Sequence, residues 1–365
     1  MYEPAPPHDE GWLDVGDGQR LYYEVRGNAA GTPAIVLHGG PGSGCTPWWA
    51  GFFDPALYRV VVLDQRGAGR STPSARDPRT DMMLNTTGHL VGDLERLRTH
   101  LRVDRWLLLG GSWGSTLGLT YAVTHPERVR AVVLGAVTLT RARDVEWLTR
   151  GVGRYFPEAH ERFLTGLPPQ DREGNLAAAY GRLLASPDRR VRNAAAVAWC
   201  RWEEAITSLD TDPVPGVWTN PRYADADFRY GFARTVTHYW GNAAFQSDDA
   251  ILSRLDRLAG IPALLCHGRL DLAGPADVAW EVARGWLGRR YARRPRRGAP
   301  GIRRDERPHG RRDGPLRSAL TGANVTNEPA ALDARAPRVH SRGVLDRSVL
   351  AGAPPPAGRA FADAT

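Results

Sequence analysis

The chain has 365 residues, 42% of them hydrophobic, with 48 Lys+Arg against 40 Asp+Glu and a formal net charge of +8. That suffices for one large domain or two small ones, and no run of eighteen apolar residues is present to cross a membrane. Cys45, Cys200 and Cys266 show neither disulfide-framework nor zinc-site spacing, and "MYEPAPPHDEGW" lacks the basic-then-apolar layout of a secretory signal. A cytoplasmic protein with no metal, no cofactor and no membrane contact is the expectation.

A positive balance would ordinarily raise nucleic acid as a partner. Here the charge is confined to one end: residues 289–365 hold 17 Arg and 7 Asp+Glu, whereas residues 1–288 hold 31 basic and 33 acidic residues. All twelve tryptophans lie at or before Trp286. The body reads as a near-neutral globule, so no nucleic-acid partner is expected. Every basic residue is arginine, which points to a gene of high GC content.

Apolar β-branched runs at residues 21–25 and 34–37 predict the first strands. The second runs into His38-Gly39-Gly40-Pro41-Gly42, and a glycine loop at such a strand end can offer a backbone N–H to an oxyanion. Gly40 is the expected donor, with His38 orienting the loop. A third strand, 59–63, exits into "LDQRGAGRST", where Asp64, Arg66 and Arg70 read as structural ion pairs. A helix is expected over 85–101 and a strand over 106–109.

That strand meets Gly110-Gly111-Ser112-Trp113-Gly114, a G-x-S-x-G sequence directly followed by a helical pattern over 114–124. A tight strand-to-helix turn lifts the serine hydroxyl clear of the sheet above a helix N-terminus, so Ser112 is the candidate nucleophile. The N–H of the next residue, Trp113, is the second expected oxyanion donor. After a strand at 131–134 the strand signal vanishes until 263–267. Residues 138–248 read as a helical cap inserted into a catalytic α/β unit formed by 1–137 and 249–288. Strands alternating with helices, the inner ones nearly all apolar, predict a mostly parallel sheet covered on both faces, with ligands at its C-terminal edge. Beyond residue 289, Arg, Pro, Gly and Ala dominate without a period, which reads as disorder.

"LLCHGRLDLAGP" sets Asp271 just past the last strand, 159 residues after Ser112. This fits the chain order Ser, Asp, His, and Asp271 would orient the base and stabilise its charged form. An N-cap role for the helix that follows is the alternative.

The stretches "HGGPG", "DQRGAGRS", "NTTGHLVGDLERLR", "GGSWGSTLGLTYAVTHPERV" and "AWCRWEEA" together resemble the proline iminopeptidases, a branch of the α/β-hydrolase fold, over most of residues 10–288. The resemblance implies release of N-terminal proline from peptides through an acyl-enzyme, without a metal, and places the triad acid at Asp271. It also implies that Glu203 of "WCRWEE" binds the substrate amine. Trp199, Trp202 and Glu203 lie at i, i+3 and i+4, one helical face, and an apolar wall with one carboxylate suits a pyrrolidine ring bearing a protonated amine. A surface glutamate beside two core tryptophans is the alternative reading. The chain departs from the family at "ARTVTHY", where Val236 stands at the position of a second glutamate, so strict selection for proline is not implied.

The third triad member should be a histidine on a Gly-His loop 25–30 residues after Asp271. That window reads "RGAPGI"; His309 and His340 lie farther on, the former among arginines. A change of reading frame near 285–289 unites the charge jump, the loss of tryptophan and the missing base, because shifting one nucleotide across residues 298–302 can encode Gly-His-Arg-Gly-Ser. If this order of residues is the translated one, loss of a triad member costs about 10⁴–10⁶ in kcat. Two competing functions follow: an esterase or amidase of the same fold, or a non-catalytic relative.

Overall fold

The computed structural model describes residues 1–207, 218–286 and 290–293. Strands β1 (Pro7–Asp14), β2 (Arg20–Gly27), β3 (Thr32–Leu37) and β4 (Tyr58–Leu63) precede helix α1 (Thr87–His100). Next come β5 (Trp106–Gly111), α2 (Trp113–Thr124) and β6 (Val129–Gly135). Five helices follow: α3 (Ala142–Thr149), α4 (Pro157–Thr165), α5 (Leu176–Leu184), α6 (Arg189–Thr207) and α7 (Ala226–Gly241). The chain then returns to the sheet through β7 (Ala263–His267), α8 (Ala276–Gly285) and β8 (Arg290–Arg293).

All eight strands form one sheet in the order β1-β2-β4-β3-β5-β6-β7-β8. β1 and β2 are antiparallel additions, and the strands from β4 to β8 run parallel. Every residue of β5 is buried, as a strand packed on both faces requires. Strand alternation sends Ile35, Leu37, Leu63, Leu108 and Leu134 to one layer with Leu94 and Leu97 of α1 and Leu117 of α2. Ala34, Val36, Val62, Leu107 and Leu109 point the other way, beneath Trp49 and Phe53. Thr86 caps α1 by accepting the His89 N–H on its hydroxyl.

The expected strands and both expected helices are present within two residues of their predicted ends. Two strands were not expected. β1 contains a proline and is largely exposed, so it carries no apolar alternation and can occur only at an edge. β8 corrects the expectation of no strand after residue 289: it pairs with β7 from Leu264↔Arg290 to His267↔Arg293. Edge pairing is made by backbone N–H and C=O groups, which composition does not reveal. His309, His340 and the rest of the expected tail lie outside the described residues.

The ion pairs in the loop after β4 are as expected. Arg66 is fully buried and makes two bonds to Asp93, at 2.6 and 2.8 Å. Asp64 accepts from Arg70 Nε at 3.0 Å and from the Cys45 N–H at 2.6 Å, tying two loops together.

Candidate active site

Ser112 sits between β5 and α2 with φ +53° and ψ −124°, a left-handed backbone that a non-glycine residue adopts only under constraint. The constraint is packing on either side. A Cβ at Gly114 would lie 2.0 Å from the Leu37 carbonyl, and one at Gly110 would lie 2.3 Å from the Gly114 carbonyl. The Ser112 N–H donates to Gly135 at 3.0 Å, and its carbonyl accepts from the N–H and hydroxyl of Ser115 at 2.8 and 2.6 Å. These bonds fix the turn on which the serine is displayed.

One cavity joins the sheet edge to the helices above it. Gly40, Ser112, Trp113 and Asp271 line it from the sheet side. Asp144, Val145 and Leu148 of α3, Ile206 and Glu203 of α6, and Phe232 and Trp240 of α7 close it from above. Thus Gly40, the consecutive Ser112 and Trp113, Glu203 and Asp271, drawn from distant parts of the chain, meet in one space. Among the described residues no histidine lines this cavity, and no group of three or more His, Cys, Asp or Glu side chains gathers as a metal site.

Asp271 leaves β7 in a tight turn and accepts the Gly274 N–H at 3.1 Å. Pro275, not Asp271, is the N-cap residue of α8, so the helix-capping alternative does not hold. The turn is gripped from above, where Trp147 of α3 donates its indole N–H to the Leu272 carbonyl at 2.8 Å. Arg141, just before α3, reaches Glu281 of α8 at 2.6 Å.

Glu203 is packed inside the protein except where it opens to the cavity. Burial pushes its carboxyl up to about 7, against a smaller opposing effect from the Trp199 indole N–H, which donates to it at 3.2 Å. Its neighbour Glu204 points away and is consumed structurally, accepting from Asn220 N–H and Arg201, each at 3.0 Å.

The expected tryptophan wall needs correction. Trp199 and Trp202 are both fully buried and neither lines the cavity. Trp199 stands behind Glu203, while Trp202 stacks on Phe163 at 5.1 Å and donates to the Leu148 carbonyl at 3.0 Å. Helical spacing shows which residues share a face but not which neighbour that face meets. The apolar surface facing the cavity comes from Val145, Leu148, Ile206, Phe232, Trp240 and Val278, scattered over four helices without a motif to announce them. Val236 is buried on α7, one turn from both Phe232 and Trp240.

Strand order, a serine on a strained strand-to-helix turn and an acid past a later strand define an α/β hydrolase. A family model described as the α/β-hydrolase fold matches residues 32–295, and a solved α/β-hydrolase enzyme from a Medee basin deep-sea metagenome shares the fold at a TM-score of 0.52, with 15% identity over 78% of this chain and 89% of that one. The chain is 53% identical over 290 residues to a probable proline iminopeptidase of Streptomyces coelicolor, covering 78% of this chain and 88% of the relative. It is 44% identical to the proline iminopeptidase of Xanthomonas citri, covering 78% and 89%. The chain belongs to the proline iminopeptidase family.

Proposed function

We propose that this protein is a serine aminopeptidase that releases N-terminal proline from peptides. The observation that carries the reading is the Glu203 carboxylate, which lines the same cavity as Ser112 from the helical side, whereas Asp144 there is paired with Arg141. A protonated prolyl amine pairs with Glu203 while the ring packs on Phe232 and Trp240. The proline carbonyl then lies at Ser112. Its Oγ adds to the carbonyl carbon, and the oxyanion accepts hydrogen bonds from the Gly40 and Trp113 N–H groups. Collapse expels the peptide amine, which takes a proton, and water hydrolyses the prolyl ester to free proline and Ser112.

In this reading Asp271 orients the histidine that shuttles these protons. No described histidine lines the cavity; His309 and His340 lie outside the described residues, and the change-of-frame reading leaves this chain without the base. Residues 138–248 serve as a cap over a catalytic unit made of 1–137 and 249–288. Among the described residues no helix is long and apolar enough to cross a membrane. No disulfide joins the cysteines, which suits a cytoplasmic enzyme.

The test compares prolyl, alanyl and leucyl p-nitroanilides with short-chain p-nitrophenyl esters. The reading requires the prolyl amide to give the highest kcat/KM among the amides. Equal rates on all three, or cleavage of the esters alone, would overturn it.

A further inference from the structure

Gln65 is 3% exposed and lies just past β4, in a stretch whose sequence reads as structural. In the sheet order, β3 separates β4 from β5, so this residue is two strands away from the serine turn, about 10 Å by ordinary strand spacing. It nevertheless bonds to both sides of the gap. Its backbone N–H donates to His38 Nε2 at 3.1 Å, and its side-chain amide donates to the His38 carbonyl at 2.9 Å. Its side-chain oxygen accepts the Trp113 indole N–H, also at 2.9 Å.

These bonds settle the state of His38. A backbone N–H can only donate, so Nε2 is the unprotonated ring nitrogen and Nδ1–H donates to the Gly39 carbonyl at 2.9 Å. Burial holds the imidazole below its ordinary value, in the neutral form this pattern needs. The peptide of Gly40 follows directly on that anchored pair. On the other side, Trp113 carries the second expected oxyanion donor on its backbone and the Gln65 contact on its indole.

We infer that Gln65 is a positioning residue that holds the Gly40 and Trp113 peptides in one fixed arrangement, so that both N–H groups aim at the same oxygen. The inference rests on the reading of those two groups as oxyanion donors. A single amide suits the task because it offers a donor to one side and an acceptor to the other. A hydrocarbon offers neither, and a carboxylate only the second.

Two variants test it in the full-length protein, with folding checked by circular dichroism. Hydrolysis is followed on prolyl p-nitroanilide and on p-nitrophenyl acetate, which reports the serine and its oxyanion hole whatever the acyl preference. Removing one oxyanion donor outright costs about 10²–10³ in kcat; misplacing the pair in Gln65→Leu should cost about 10- to 100-fold on both substrates, with KM within twofold. Gln65→Glu can make both side-chain bonds only while its carboxyl is protonated. Its kcat relative to wild type should be near one at low pH and fall as pH rises. A glutamine that merely packs would lower the melting temperature but leave kcat per folded molecule and the pH ratio unchanged, and that result overturns the inference. If Gln65→Leu does not fold, the pH ratio of Gln65→Glu decides. Wild type that cleaves the acetate but not the prolyl amide refutes the proline reading while the ester still reports on Gln65. Unaffected variants of a proline-selective wild type refute the Gln65 role alone. A wild type inert to both substrates overturns both.

Discussion

Trp199 and Glu203 are joined across one helical turn by a 3.2 Å bond from indole N–H to carboxylate, and this bond is outweighed by burial, which leaves the carboxyl near 7. Glu203 is therefore poised to gain or lose its charge close to neutrality. Below that value Glu203 is neutral and offers a substrate ammonium no counter-charge. Above it the carboxylate is present. KM for a prolyl amide should fall as pH rises from about 6 to 7.5, and Glu203→Gln should raise KM and abolish this dependence. Initial rates across that interval decide the point; a wild-type KM that does not move would contradict it.

The same group shapes stability in the opposite direction. Between 4.5, its ordinary value, and about 7, the unfolded chain ionises Glu203 while the folded chain keeps it protonated. The unfolded state then binds fewer protons, so this contribution is fully present below 4.5 and is lost as pH rises through 7. The melting temperature of wild type minus that of Glu203→Gln should therefore decline between pH 5 and 8. A constant difference would show that burial does not hold the carboxyl up.

Ser112→Ala and Asp271→Asn should separate chemistry from binding. Loss of the nucleophile removes acylation altogether, and an orienting acid replaced by its amide costs about 10⁴ in kcat in other serine hydrolases. Asn can still accept the Gly274 N–H that Asp271 accepts now, so the fold should persist. Calorimetric titration with L-prolinamide should give wild-type affinity for both variants. Weakened binding would mean that these residues support the pocket rather than the reaction.

Arg66 and Asp93 make a buried pair, and neither lines the cavity. Arg66→Met should destabilise the protein by about 3 kcal/mol, because it leaves the buried Asp93 carboxylate with only the half-exposed Arg96, at 3.5 Å, as a counter-charge. Adding Asp93→Leu should recover much of that loss. Urea unfolding of the single and double variants reads the difference.

The proton carrier is open to a direct genetic measurement. The change-of-frame reading expects His309→Ala and His340→Ala to leave any prolyl-amide hydrolysis unaltered. It also expects resequencing between codons 285 and 302 to reveal a frame that encodes Gly-His. A confirmed sequence with no such frame would defeat it, and a rate lost in His309→Ala would name the base instead.

The placement of Ser112, Gly40 and Asp271 on one cavity could be read from the chain because each depends on a short local pattern, a strand end followed by a turn. Glu203 was reachable only through likeness to a family. Trp199 and Trp202 misled because helical periodicity carries no information about which neighbours fill the groove. Phe232 and Trp240 are brought in by α7 from a distant stretch, and nothing in their spacing distinguishes a cavity wall from a core face. β1 and β8 escaped notice because edge strands are held by backbone bonds rather than by apolar alternation.

Helix α3 belongs in sequence to the inserted helices, yet Trp147 holds the turn of the acid and Arg141 holds α8. Mechanically it is part of the catalytic body. An engineer exchanging caps between relatives should therefore cut after α3, near Thr149. A cut before it would detach the brace of Asp271 together with the roof.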